Sequence, residues 1–174
     1  MKDAANASAV LEKLRTLEPR HPFIDQSLQR IKTISMIKRL GDSNIDMENM
    51  NALSGQDFES LLIQQFTKIG FTVKGTPGSG DYGADILVDT DDNTRFVIQC
   101  KRFKSKVNLK AVQEVVGAMP HYNGDIGIVI TNNGFLPSAA TLAESNGIEL
   151  WGNMELMSFL AGDLSFSQMA EWKK

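Results

Sequence analysis

The sequence is poor in the residues that bind soft metals or form crosslinks: one cysteine, Cys100, and two histidines, His21 and His121, among 174 residues. A single cysteine cannot form an internal disulfide and fits a reducing compartment. Three such residues are too few for a zinc finger or ribbon. No apolar run approaches the roughly 18–20 residues that span a bilayer. Nor does an apolar stretch follow Lys2 in Met1-Lys2-Asp3-Ala4-Ala5-Asn6, so neither a membrane anchor nor a secretory leader is expected, and a cytoplasmic location is. Positive charge is not in excess, with 18 Lys and Arg against 21 Asp and Glu for a net charge of −3. That balance does not favour a general polyanion binder. The hydrophobic content of 42% suffices for a folded core and argues against wholesale disorder.

The length suggests one domain with an appendage, at about 100–200 residues per domain. Residues 1–50 read as a helical extension and linker. Val10, Leu11, Leu14 and Leu17 recur at helical spacing, Pro19 and Pro22 interrupt, and Ile24, Leu28, Ile31, Ile34, Ile37 and Leu40 mark a second helix. Such a hairpin is too small for a sizeable core of its own. It would dock on the rest of the chain or join two copies into a homodimer. Asp42 to Asn51 is polar enough for a linker.

Residues 51–174 alternate between periods. Ser54 and Asp57 form a capping-box pair ahead of Phe58, Leu61, Leu62, Phe66 and Ile69, with Gly70 to stop the helix. A short strand, Phe71 to Val73, and a Gly- and Pro-rich loop, Thr76 to Gly83, come next. Two strands, Ala84 to Asp89 and Arg95 to Lys101, flank the turn residues Asp91-Asp92-Asn93. A helix over Asn108 to Met119, with Leu109, Val112, Val115 and Val116 on one face, precedes the apolar strand Ile126 to Ile130. Helix, strand and helix complete the chain. This order gives an α/β fold of three layers around a central mixed sheet.

The hairpin carries the chemistry. With its turn centred on Asp92, Asp89 faces Arg95, Leu87 faces Val97 and Asp85 faces Gln99. Alternation puts Asp85, Gln99 and Lys101 on one face. Both faces are largely apolar, so polar groups at the shared end of these strands need partners. A carboxylate, an amide and an ammonium so placed suit a hard cation and a phosphate. Glu59 is a candidate second acid, since at about 100° per residue its direction falls between those of Leu62 and Ile63, inside the apolar stripe. Its place in the first helical turn, where the helix dipole favours acids, explains it equally well. Lys101, Arg102, Lys104, Lys106 and Lys110 form a run without an intervening acid. That run reads either as a phosphate-binding patch or as a solvated loop.

Gly80-Asp81-Tyr82-Gly83-Ala84-Asp85 followed by Gln99-Cys100-Lys101-Arg102 resembles the catalytic motif of the Mrr-like restriction endonucleases. These belong to the PD-(D/E)XK nuclease superfamily, and their variant places glutamine where most members have a second acid. The similarity also takes in Ser54 to Glu59, Val112-Gln113-Glu114 and Thr131 to Phe135, over roughly residues 53–160. The resemblance implies a restriction-endonuclease-like fold and a Mg²⁺-dependent DNA endonuclease, with Mn²⁺ as a substitute and defence against foreign DNA as a role. It implies a catalytic set of Asp85, Gln99, Lys101 and Glu59, with Asp85, Glu59 and the Cys100 backbone carbonyl on the metal. It implies DNA contacts from Arg102, Lys104, Lys106 and Lys110, and products ending in 5′-phosphate and 3′-hydroxyl. The first fifty residues are too few for the DNA-reading winged helix of fuller members.

Further candidates each have a second reading. Asp81 holds a second metal or simply forms the turn. Gln113 and Glu114 face the site or the solvent. Thr131 and Asn132 end a central strand, where α/β folds place functional groups, or they form the turn before Gly134. Phe103 is a candidate for stacking on a base, and Cys100 reads as a core thiol. The competing function is a non-catalytic module for nucleic-acid binding or assembly on the same fold. A resolvase or toxin-type nuclease would share the triad.

Overall fold

A computed structural model describes residues 47–76 and 82–162, with Val10, Lys13 and Thr16 as isolated positions before them. The chain divides into two compact units, Met1–Asn44 and Ile45–Lys174. The expected N-terminal hairpin, its proposed role in a homodimer, and Asp81 lie outside the described residues. No helix among the described residues is long and apolar enough to cross a membrane.

The first described element, α1 (Met47–Ala52), occupies a stretch whose polar composition suggested a linker. It buries Met50, with Leu53 just beyond it, and that apolar pair fixes the segment against the core. Ser54 then caps α2 (Gly55–Lys68) as its spacing predicts. The Asp57 amide donates to Ser54 Oγ at 3.1 Å, and the Ser54 amide donates to Asp57 Oδ2 at 3.2 Å. The helix stops at Gly70, whose φ of 101° a residue with a Cβ rarely adopts.

Five strands form one sheet in the order β1-β2-β3-β4-β5: Thr72–Gly75, Ile86–Asp89, Arg95–Lys101, Ile126–Thr131 and Ile148–Trp151. The first three pair antiparallel, and β3-β4 and β4-β5 pair parallel. The register of β2 and β3 is the expected one, with Asp89 opposite Arg95 and Leu87 opposite Val97. At the turn end, Arg95 Nε meets Asp89 Oδ1 at 2.7 Å and Arg95 Nη1 donates to the Tyr122 carbonyl at 3.0 Å.

The parallel pairs need crossovers, which α3 (Leu109–Tyr122) and α4 (Pro137–Asn146) supply on one face of the sheet. There Ala111, Val112, Val115, Val129, Ala139 and Ile148 pack as one core. On α3 the buried positions are Ala111, Val112, Val115 and Ala118, whereas Leu109, expected in the stripe, is exposed. The helix also runs past Pro120, since a proline in the last turn breaks little of the ladder. The opposite face is covered by α2 and α5 (Asn153–Ala161), where the Phe66 and Phe159 rings lie 4.6 Å apart. Gln65, buried in α2, donates to the Phe159 carbonyl at 3.4 Å and so satisfies a helix end. Three layers result, with β3 and β4 buried at the centre.

Candidate active site

The antiparallel ladder between β2 and β3 ends one residue before Asp85 would extend it. The Asp85 amide still donates to the Ile98 carbonyl at 2.9 Å. The next donor on β3, the Cys100 amide, goes to the Asp85 side chain instead, at 2.7 Å from Oδ2. Gln99 Nε2 donates to the same oxygen. A carboxylate has thus replaced a strand carbonyl, and the two strands part around it. The loop before β2 is held at its base by Thr76, whose amide donates to the Asp85 carbonyl at 3.0 Å and whose hydroxyl donates to the Ala84 carbonyl. Nothing in the sequence marked Thr76 beyond its place at the start of a loop.

Gln99 is 3% exposed. With its nitrogen turned to Asp85, the amide group is fixed in one orientation, as a buried side chain of this polarity requires. Lys101 projects towards α3, and its Nζ lies 2.8 Å from Glu114 Oε2, the two side chains being 21% and 27% exposed. The Lys101 carbonyl accepts a hydrogen bond from Thr131 Oγ1 at 2.6 Å. Both the ammonium and the backbone of this lysine are therefore held by named partners.

Glu114 is the residue that sequence reasoning left undecided, and Gln113 beside it is exposed. The signal was its helical position, three residues after Ala111 and four before Ala118, both buried. Gly83, at φ 90°, lets the loop lie against this part of α3, for a Cβ there would stand 2.5 Å from the Glu114 carbonyl oxygen.

Alternation along β3 sends Cys100 to the other face, the side of α2. The thiol is buried, and its pKa is raised well above the ordinary value, by burial first and then by the negative charges of Asp85 and Glu59. Two acids, Asp85 just before β2 and Glu59 on α2, are thus within electrostatic reach of this point on β3. Glu59 approaches from the layer opposite Glu114.

Among the described residues, no group of three or more His, Cys, Asp and Glu side chains is placed to hold a metal. Asp85, the Gln99 amide and main-chain carbonyls offer hard oxygens at this strand end, and Glu59 is close enough for its charge to act on Cys100. That set fits a Mg²⁺-type cation, which takes one or two carboxylates and keeps several waters. It does not suit zinc, which prefers nitrogen and sulfur ligands.

Of the remaining candidates, Asn132 is 2% exposed and acts on the backbone. Its Oδ1 accepts from the Phe103 amide at 2.8 Å, and its Nδ2 donates to the Phe103 carbonyl at 3.0 Å and to Asn51 Oδ1 at 2.7 Å. Thr131 and Asn132 thus fasten the exit of β3 through their side chains. Lys104, Lys106 and Lys110 are exposed, and Arg102 Nε is buried without a hydrogen-bond partner among the described residues. His121 is exposed and stacks on Tyr82, with ring centroids 3.8 Å apart.

A family model described as restriction endonuclease, Mrr_cat, matches residues 50–160. Among solved structures, the DNA modification-dependent restriction endonuclease AspBHI superposes with a TM-score of 0.51 at 12% identity, covering 80% of this chain and 38% of that one. The protein of unknown function AF1548 gives 0.49 at 19% identity over 60% of this chain and 65% of its own. A repair endonuclease from Pyrococcus abyssi gives 0.43 at 20% identity, covering 57% and 47%. The chain therefore spans less than two thirds of each of these structures. No curated protein matches. The likeness to AspBHI is one of fold, and the three-layer mixed sheet described above is the restriction-endonuclease-like fold. With the family match extending over most of the sequence, the chain belongs to the restriction endonuclease family of the Mrr type.

Proposed function

We propose that this protein is a Mg²⁺-dependent endonuclease that hydrolyses phosphodiester bonds in DNA, with Mn²⁺ able to substitute. The observation that carries this reading is the convergence at one strand end. Asp85 Oδ2 accepts from both the Gln99 side chain and the Cys100 amide, and Lys101 is the next residue along. Membership of a nuclease family supports it.

A bound divalent cation would neutralise charge on the scissile phosphate and make water a better nucleophile. Asp85 and Glu59 would hold it with carboxylate oxygens, aided by the Gln99 amide and the Cys100 backbone carbonyl. Lys101 would orient the attacking water or a phosphate oxygen with its ammonium, which Glu114 holds from α3 at 2.8 Å. Arg102, Lys104, Lys106 and Lys110 contact neighbouring phosphates, and such contacts position a duplex without reading its sequence. Defence against foreign DNA is the role that fits a cutter of this kind. A homodimer through the N-terminal helices would bring two such sites to the two strands.

The test is cleavage of supercoiled plasmid and of single-stranded DNA in Mg²⁺, Mn²⁺ or EDTA. Cleavage that depends on the metal is the expected result. Salt-sensitive binding without cleavage under any metal would instead establish the non-catalytic module.

A further inference from the structure

Phe103 stands out because an apolar ring is presented to solvent by a tightly held backbone. It is 46% exposed. Its amide and carbonyl are both taken by the buried Asn132, at 2.8 and 3.0 Å. Four residues on, the chain is pinned again: the Val107 amide donates to the Gly134 carbonyl and the Leu136 amide to the Val107 carbonyl, both at 2.9 Å. Between these clamps Lys104, Ser105 and Lys106 are exposed. The result is a short rigid projection carrying one aromatic ring and two lysines directly beyond Lys101. Phe103 is two positions beyond Lys101, at most about 7 Å away between Cα atoms.

A solvated loop does not need a phenylalanine, and burying its ring would remove the cost of exposing it. The lysines beside it specify a polyanion as the occupant, and the ring offers a flat apolar face. We propose that Phe103 is a stacking platform for a nucleobase next to the scissile phosphate, and that the favoured substrate is DNA with a locally single-stranded or unstacked segment. In an intact duplex both faces of every base are covered by neighbours, so a ring on the protein meets a base only where the stack is open. Stacking tolerates any base, so the preference is for an open stack and not for a particular sequence. This inference rests on the DNA-cleaving reading above.

The experiment compares wild type, F103A, F103L and F103W on two fluorescein-labelled DNAs in EDTA: an intact duplex, and the same duplex with a short single-stranded gap. A 2-aminopurine placed in the gap reports stacking directly. Wild type and F103W should favour the gapped DNA by about tenfold or more and quench the 2-aminopurine, while in F103A and F103L the preference falls towards unity and the quench is lost. The exposed ring predicts unchanged melting temperatures for all four proteins. An F103A protein that keeps the preference and the quench overturns the stacking role alone. A wild type that binds neither DNA overturns the DNA reading and this inference with it.

Discussion

The Lys101 ammonium lies 2.8 Å from a Glu114 carboxylate oxygen, joining the last residue of β3 to the crossover helix beside it. Lysine has a flexible four-carbon stem, so an anchor is what keeps its charge in one place. Removing the anchor by E114A should lower the cleavage rate about tenfold to a hundredfold, as misplacement of a reacting group does. The half-buried pair contributes only about 1 kcal/mol to stability. E114Q retains a hydrogen-bond acceptor and should fall between the two proteins. Single-turnover rates beside chemical denaturation separate the effects, and an E114A enzyme as fast as wild type would show that Lys101 needs no anchor.

Gly83 tests the same relationship from the loop. Alanine there must adopt φ 90° and place its methyl 2.5 Å from the Glu114 carbonyl oxygen. Backbone strain and the clash together should cost about 2–4 kcal/mol and displace Glu114. Urea melts of G83A, paired with its cleavage rate, check both expectations.

Asn132 should prove structural. In N132A the Phe103 amide and carbonyl lose their partners at once. Leaving buried backbone groups unsatisfied costs about 1–3 kcal/mol. Hydrogen exchange at the Phe103 amide should accelerate in this variant, and an unchanged rate would mean that another group holds the loop.

At the far end of the hairpin, the Arg95 guanidinium hydrogen-bonds Asp89 and holds its carboxyl below the ordinary value of 3.8. A carboxyl lowered by folding adds stability that is fully present above its unfolded pKa and is lost as pH falls through the folded value. D89N should therefore be less stable than wild type at neutral pH, and the gap should close in strong acid. Both side chains are 38% exposed, so the gap stays under about 1 kcal/mol. Denaturation of both proteins across acid pH reads it.

The hairpin register was legible because strand alternation and the Asp91-Asp92-Asn93 turn leave one pairing that buries Leu87 and Val97 together. The same alternation placed Asp85, Gln99 and Lys101 at one end. Glu114 was not legible with certainty, because the buried residues three before and four after it, Ala111 and Ala118, are small and hydropathy weighs them lightly. The part played by Asn132 was hidden for a different reason: its partners Phe103 and Asn51 are distant in sequence and meet only after β3 and β4 have paired. The helix at Met47–Ala52 escaped notice because Met50, its anchor, sits among polar neighbours.

The central claim is that Asp85 and Lys101 act together on a phosphodiester bond. Plasmid cleavage in Mg²⁺ by folded D85A and K101A, beside wild type, tests it most directly. The account predicts metal-dependent cutting by the wild type and loss of cutting in both variants, with their folding transitions intact. Wild-type rates in either variant would contradict it.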